Sequence, residues 1–236
     1  MSDQMKQRGR QKREVEPDTI TDRAEKEKQI LGWVPITELG KKVKNGELLS
    51  MEELFEKNFV IMEPEIVDIL IPDLLEKLVA FKKTSKVRRA GRMFGFRASV
   101  LVGDGNQFIG LGTASDKERW PAIRKAAKKA KLSLVKVRKG CGSWQCTCGT
   151  GHSVPFKTEG KSSSIRIELL PAPKGTGLVV GDHIKDVLRY VGIQDVWSKS
   201  RGSTSTTLDF VSATVDALSN TVKMRISEDI KKKAVK

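Results

Sequence analysis

Phe94-Gly95-Phe96-Arg97-Ala98-Ser99-Val100-Leu101-Val102, followed by Gly103-Asp104-Gly105-Asn106, is the stretch that decides the fold. Phe94, Phe96, Ala98, Val100 and Val102 alternate with Gly95, Arg97, Ser99 and Leu101, the period of a strand with one buried face. On that alternation Phe94 and Phe96 are core residues rather than platforms for stacked bases, and Phe108 and Trp120 read as core or seam. Gly103-Asp104-Gly105-Asn106 is a hairpin turn, because glycine and asparagine accept positive φ, and Gln107 to Thr113 returns as the next strand. Upstream, Leu78 to Lys83 starts a further strand that leads into a basic stretch, Lys82, Lys83, Lys86, Arg88 and Arg89, ending at Gly91.

A helix follows the strands. Asp116 is placed to cap it and Pro121 fits its first turn. Ile123, Ala126, Ala127, Ala130 and Leu134 make one apolar stripe, with alanines small enough for close approach to a sheet. Arg124, Lys128 and Lys131 repeat on another face, flanked by Lys125 and Lys129. Before the strands, Ser50 and Glu53 form a capping-box pattern, and a second short helix follows Pro64, with Ile66, Val67, Ile69 and Leu70 on one face and Pro72 at its end.

After residue 140 the pattern begins again. Strand signals run from Val154 to Lys157 and continue after Gly160, where Ile165, Ile167 and Leu169 alternate with Arg166, Glu168 and Leu170. Next come the loop Pro171-Ala172-Pro173-Lys174-Gly175-Thr176-Gly177, a helix with Ile184, Val187, Leu188 and Val191 closed by Gly192, and a short strand from Val196 to Ser198. The last helix carries Leu208, Val211, Val215, Leu218 and Val222. The expected organisation is α+β: a flexible tail over 1–30 with a helical turn near Arg23 to Ile30, a helical extension over 31–73, an α+β unit over 74–139, a Cys/Gly linker over 140–152, a second unit over 153–224 and a basic tail over 225–236.

Composition narrows the function. Among 236 residues, 44 Lys and Arg face 29 Asp and Glu, a net charge of +15, with 38% hydrophobic and 31% charged residues. That is globular composition with a polyanionic partner, nucleic acid or an anionic membrane. No apolar run approaches the ~18 residues of a spanning helix, and Met1 to Arg13 is basic and polar, which predicts no secretory signal. The charge is concentrated: residues 82–139 carry 17 basic and 3 acidic groups, whereas 31–81 carry 5 and 10. A basic helix and a basic stretch on one side of a three-stranded unit suit the backbone of duplex RNA, read by shape.

Two local features admit other chemistry. Cys141-Gly-Ser-Trp-Gln-Cys146-Thr-Cys148-Gly-Thr-Gly-His152 offers three thiolates and an imidazole, the donor set of a closed structural zinc site. Cys146 and Cys148 are closer than the usual two-to-four-residue gap, so three reduced thiols in a linker, or a redox-labile pair, stand as alternatives. Three cysteines within eight positions do not make a secreted disulfide framework. Pro173-Lys174-Gly175-Thr176-Gly177 before a helix has the character of a phosphate cradle, which keeps a small-molecule phosphotransferase in view. It lacks P-loop spacing and has no carboxylate pair or serine–histidine set beside it. His152 and His183 read as structural or solvent-facing, and Asp182 and Asp186 as acidic groups at a helix N-terminus. A free regulatory protein that binds duplex RNA is a third reading.

The chain resembles the family of the fifth small-subunit ribosomal protein in its archaeal and eukaryotic form, from about Gly32 to Val222. The resemblance rests on Ala90-Gly91-Arg92-Met93-Phe94-Gly95-Phe96-Arg97-Ala98, Val102-Gly103-Asp104-Gly105-Asn106, Gly110-Leu111-Gly112 and Leu169-Leu170-Pro171-Ala172-Pro173-Lys174-Gly175-Thr176-Gly177-Leu178-Val179, with Ser50-Met51-Glu52-Glu53-Leu54-Phe55 resembling the extension of that branch. It implies a non-enzymatic constituent of the cytoplasmic ribosome. The implied fold is a module similar to double-stranded-RNA-binding domains, then a small α/β domain with a left-handed β-α-β crossover. The implied partners are small-subunit ribosomal RNA, messenger RNA on its way into the subunit, and the fourth small-subunit protein, with an influence on decoding accuracy. The family's loop between the first two strands maps onto Lys86, Val87, Arg88, Arg89, Ala90, Gly91 and Arg92, and its protein contact onto Gly175, Thr176, Gly177 and Lys185. The candidate RNA-binding set is Lys82, Lys83, Lys86, Arg88, Arg89, Arg92, Arg97, Arg124, Lys125, Lys128 and Lys131, and the candidate metal ligands are Cys141, Cys146, Cys148 and His152.

Overall fold

The structure, a computed structural model, describes residues 32–223. The expectations for the two tails, including the helical turn near Arg23 to Ile30, lie outside the described residues. Three short helices open the described chain: α1 (Glu38–Lys44), α2 (Met51–Glu56) and α3 (Pro64–Leu70). Thr37 and Ser50 cap the first two, each side-chain oxygen accepting the N–H three residues on. The first of these helices was not singled out from the sequence.

A four-stranded antiparallel sheet follows in the order β1 (Leu75–Arg88), β2 (Gly91–Gly103), β3 (Phe108–Asp116) and β4 (Leu134–Lys136), with α4 (Arg119–Leu132) between the last two. β1 and β2 are longer than their alternation predicts. They stay paired to Arg88↔Gly91, so the basic stretch is no loop: it is a two-stranded arm turned by Arg89 and Ala90 alone. Asp116 ends β3 and does not cap α4. Its carboxylate accepts from Lys117 N and Lys125 Nζ, and Glu118 occupies the cap position without a side-chain bond. Asp104 shapes the β2–β3 turn, accepting the N–H groups of Asn106, Gln107 and Phe108 at 2.8–2.9 Å.

The second half forms a sheet in the order β5 (Thr158–Ser162), β6 (Ile165–Pro171), β8 (Val196–Arg201), β7 (Leu178–Val179). α5 (Asp182–Val191) connects β7 to its parallel neighbour β8, and α6 (Thr207–Ser219) follows. The strand expected over Val154 to Lys157 is absent; pairing starts at Thr158. Val222 lies beyond α6 and is 41% exposed.

One-faced burial of β2 does not hold. Ala98, Val100 and Val102 face α4, but Leu101 on the opposite face is also fully buried, in a cluster with Ile109, Ile184, Val187, Val191 and Val211. The two halves thus share a core, with α5 and α6 lying between the two sheets. The alternation signal is blind to this, because a strand covered on both faces carries apolar residues in both phases. Truncation of Leu101 to alanine is expected to cost about 2–5 kcal/mol, read as a lowered urea midpoint. An unchanged midpoint would mean the halves are stable independently.

Gly112 shows why the helix lies so close: a Cβ there would sit 2.3 Å from the Ala126 carbonyl and the Ala130 nitrogen of α4. The helical extension completes the first core, where Val43, Leu54, Ile66, Val67 and Leu74 pack with Phe108, and Phe55 stacks on Phe108 at 5.2 Å. Phe108 is core as expected. Phe94 is not, at 51% exposure, and neither is Trp120, at 62%. Phe94 lies on the arm beyond the end of β3, where, among the described residues, no helix covers the sheet.

Candidate nucleic-acid interface and metal cluster

Seven cations converge on the arm and its root: Lys82, Lys83, Lys86, Arg88, Arg89, Arg92 and Arg97, all exposed. No carboxylate lies between Glu76 and Asp104 in the chain to neutralise them. Pairing places Lys82 opposite Arg97 and Lys86 opposite Met93, so Lys82, Lys86, Arg88 and Arg97 share one face. The other face carries Lys83, whose Nζ lies 3.8 Å from the Phe94 ring centroid, and Phe81 stacked on Phe96 at 5.4 Å. An antiparallel ribbon this long projects past its sheet and presents charge on both faces.

The α4 candidates divide. Arg124, Lys125 and Lys128 are exposed, with Lys125 bonded to Asp116 and Lys128 3.8 Å from Glu65. Lys131 is buried and its place in the RNA-binding set is corrected. Its Nζ lies 2.7 Å from Asp68 and 3.1 Å from Glu76. Burial would depress its pKa, but the two carboxylates outweigh that and hold it above the usual lysine value. The helical repeat put Lys131 with the surface cations because the sequence does not show that the extension folds over this part of α4.

The cysteine segment is not an open linker. Gly140 pairs with Ser153, and Gly142 runs so close to Pro155 that a Cβ would meet its carbonyl oxygen at 2.1 Å. This fold-back brings Cys141, Cys146, Cys148 and His152 together, all four donor atoms within 4.8 Å of one another. Tetrahedral coordination with metal–sulfur bonds of about 2.3 Å puts ligands about 3.8 Å apart, and Cys146 Sγ to His152 Nε2 is 3.8 Å. The cluster can hold a metal ion. Hydrogen bonds from Thr150 hold the Cys148 thiol down at about 6, and the Lys174 backbone N–H lowers that of Cys146. Burial pushes the Cys141 thiol up to about 11. Burial lowers the basicity of His152, but the neighbouring thiols and Asp195 raise it further than that.

Asp195 is a site residue that the sequence does not single out. It is buried, 2.8 Å from His152 Nδ1 through Oδ2, while Oδ1 accepts the N–H groups of Gly175 at 3.1 Å and Gly177 at 2.8 Å. It lies 43 residues from His152, outside any local motif. The glycine loop therefore aims these two amides at a carboxylate of its own chain, which removes the phosphate-cradle reading. Lys185, the other residue of the expected protein contact, is bonded to Asp182 at 2.8 Å. His183 is exposed, and Asp186 is not a helix-end charge alone: it pairs with Lys77 of β1 at 2.9 Å.

A cation-rich arm is the electrostatic footprint of a nucleic-acid-binding protein. Comparison with known families carries this further. The sequence model described as "Ribosomal protein S5, N-terminal domain" matches residues 74–138, and "Ribosomal protein S5, C-terminal domain" matches 160–234. The small ribosomal subunit protein uS5 of Methanobrevibacter smithii is 49% identical over 205 residues, 86% of this chain and 96% of that protein. The protein of the same name from Ignicoccus hospitalis is 51% identical over 191 residues, covering 81% and 90%. That of Methanocaldococcus jannaschii is 47% identical over 201 residues, covering 85% and 93%. The chain belongs to the ribosomal protein uS5 family, whose members are structural rather than enzymatic. Among the described residues no helix is long and apolar enough to cross a membrane.

Proposed function

We propose that this protein works as a structural constituent of the small ribosomal subunit in the cytoplasm, gripping ribosomal RNA with the β1–β2 arm. The observation that carries this is the run of seven exposed cations on one projecting ribbon with no carboxylate among them. Phosphates of folded RNA are the polyanion such a ribbon fits, reached from both its faces. Arg124, Lys125 and Lys128 of α4 add to the field, and Lys131 holds the extension in place instead.

In this reading the first half acts as a module similar to double-stranded-RNA-binding domains, and β7–α5–β8 is a left-handed crossover. The Gly175-Thr176-Gly177 loop and the helix around Lys185 meet the fourth small-subunit protein, and through that contact the protein helps to form the path of incoming messenger RNA and supports decoding accuracy. The cysteine cluster holds one zinc ion. Three thiols and one imidazole within reach of a single tetrahedral centre support zinc over other ions.

Binding to small-subunit RNA and to an unrelated duplex, measured against salt, tests the RNA reading. Each neutralised phosphate should contribute about −0.9 to the log–log slope on a duplex. Steep salt dependence with preference for the ribosomal RNA is expected. Equal affinity for both would favour a free duplex-binding regulator, and no binding at low salt would sink the proposal.

A further inference from the structure

The cysteine cluster and the glycine loop are joined by more than proximity. Asp195 Oδ2 faces His152 Nδ1 at 2.8 Å, and a hydrogen bond there places the ring proton on Nδ1. In the neutral ring Nε2 is then the lone-pair nitrogen, and it lies on the side of Cys146. This is the carboxylate–histidine arrangement that orients an imidazole toward a metal. The same carboxylate uses its second oxygen to fix Gly175 and Gly177. Two amides of this loop therefore terminate on the group directly behind a candidate metal ligand. Further bonds tie the segments together: Gln194 and Asp195 both donate to the His152 carbonyl, at 3.0 and 3.2 Å, and Ala172 N donates to Ser153 Oγ.

We propose that metal binding at Cys141, Cys146, Cys148 and His152 sets the conformation of the 173–177 loop, with Asp195 as the positioning residue that transmits it. The proposal rests on the zinc reading above and adds a role to it: the ion orders a surface loop that is expected to dock a neighbouring protein. The ion pulls Nε2 into its shell, which fixes the ring, which fixes the carboxylate, which fixes both glycine amides. Gly175 and Gly177 have φ of +92° and +73°, and their N–H groups both end on Asp195, beside the Thr176 turn onto Pro173 and the Val196 N–H on the Gly177 carbonyl. By reciprocity, a partner that grips the ordered loop tightens metal binding.

The test uses the full chain, zinc-loaded and then stripped with a chelator, read by hydrogen exchange of the loop amides and by zinc content. Zinc is expected to slow exchange at Gly175 and Gly177 by about tenfold, the scale of a typical coupling energy. Asp195→Asn puts an amide nitrogen or a non-ionised oxygen against His152 Nδ1, and should weaken zinc binding by about 10–100-fold. His152→Cys keeps four ligands but cuts the connection: it should still bind zinc, while zinc no longer protects the two glycine amides. The wild-type comparison needs no variant to fold. Zinc bound with unchanged loop exchange overturns the coupling and leaves the zinc reading standing. No zinc bound by the wild type overturns both.

Discussion

Replacing Lys86, Arg88, Arg89 and Arg92 together by alanine is expected to weaken binding to small-subunit RNA by about three orders of magnitude near 0.1 M salt. All four are exposed and lie at the outer end of the arm, so the two cores are untouched. Each phosphate deprived of its cation takes about 0.9 off the salt slope, so the variant's slope should be shallower by about 3 to 4. The circular dichroism spectrum and the urea midpoint should match those of the wild type. A variant that keeps both affinity and slope would move the RNA site off the arm, with Arg124, Lys125 and Lys128 of α4 as the remaining basic surface.

Lys131→Ala is expected to have the largest effect on stability. The side chain of Glu76 is fully buried and that of Asp68 nearly so, and the lysine bridges both. Removing it leaves two carboxylates in the interior without their counter-charge, a loss of about 3–5 kcal/mol. For a domain of ordinary stability that is a large fraction of the whole. Denaturant titration measures it, and a loss under about 1 kcal/mol would mean that water reaches the site. Because the folded state raises the pKa of Lys131, its contribution is fully present below the ordinary lysine pKa and is lost as pH climbs through the folded value. RNA affinity per folded molecule should be unchanged, which separates this lysine from its exposed neighbours.

Several elements were legible because they depend on local periodicity, but α1, β4 and β7 were not, and Leu134, read onto the apolar stripe of α4, lies in β4. Ala98, Val100 and Val102 did turn inward, Ser50 did cap its helix, and Gly192 did close α5 with φ of +79°. What the sequence concealed depends on distant segments. Leu101 looked solvent-facing until α5 and α6 covered the second face of the sheet. Phe94 looked buried because alternation says nothing of how far a strand outruns its neighbours. Lys131 looked like its helical neighbours until Asp68 and Glu76 met it from elsewhere in the chain. The four possible metal ligands lie within twelve positions and were found. Asp195, which orients one of them, is brought in only by the fold.

Sedimentation shows whether this arm seats the protein in the small subunit. Purified protein would be mixed with small subunits depleted of their own copy and spun through a high-salt gradient, beside the arm variant. Co-sedimentation of the wild type at one copy per particle, with the variant left at the top, is the expected result. Equal retention of both proteins, or of neither, would contradict it.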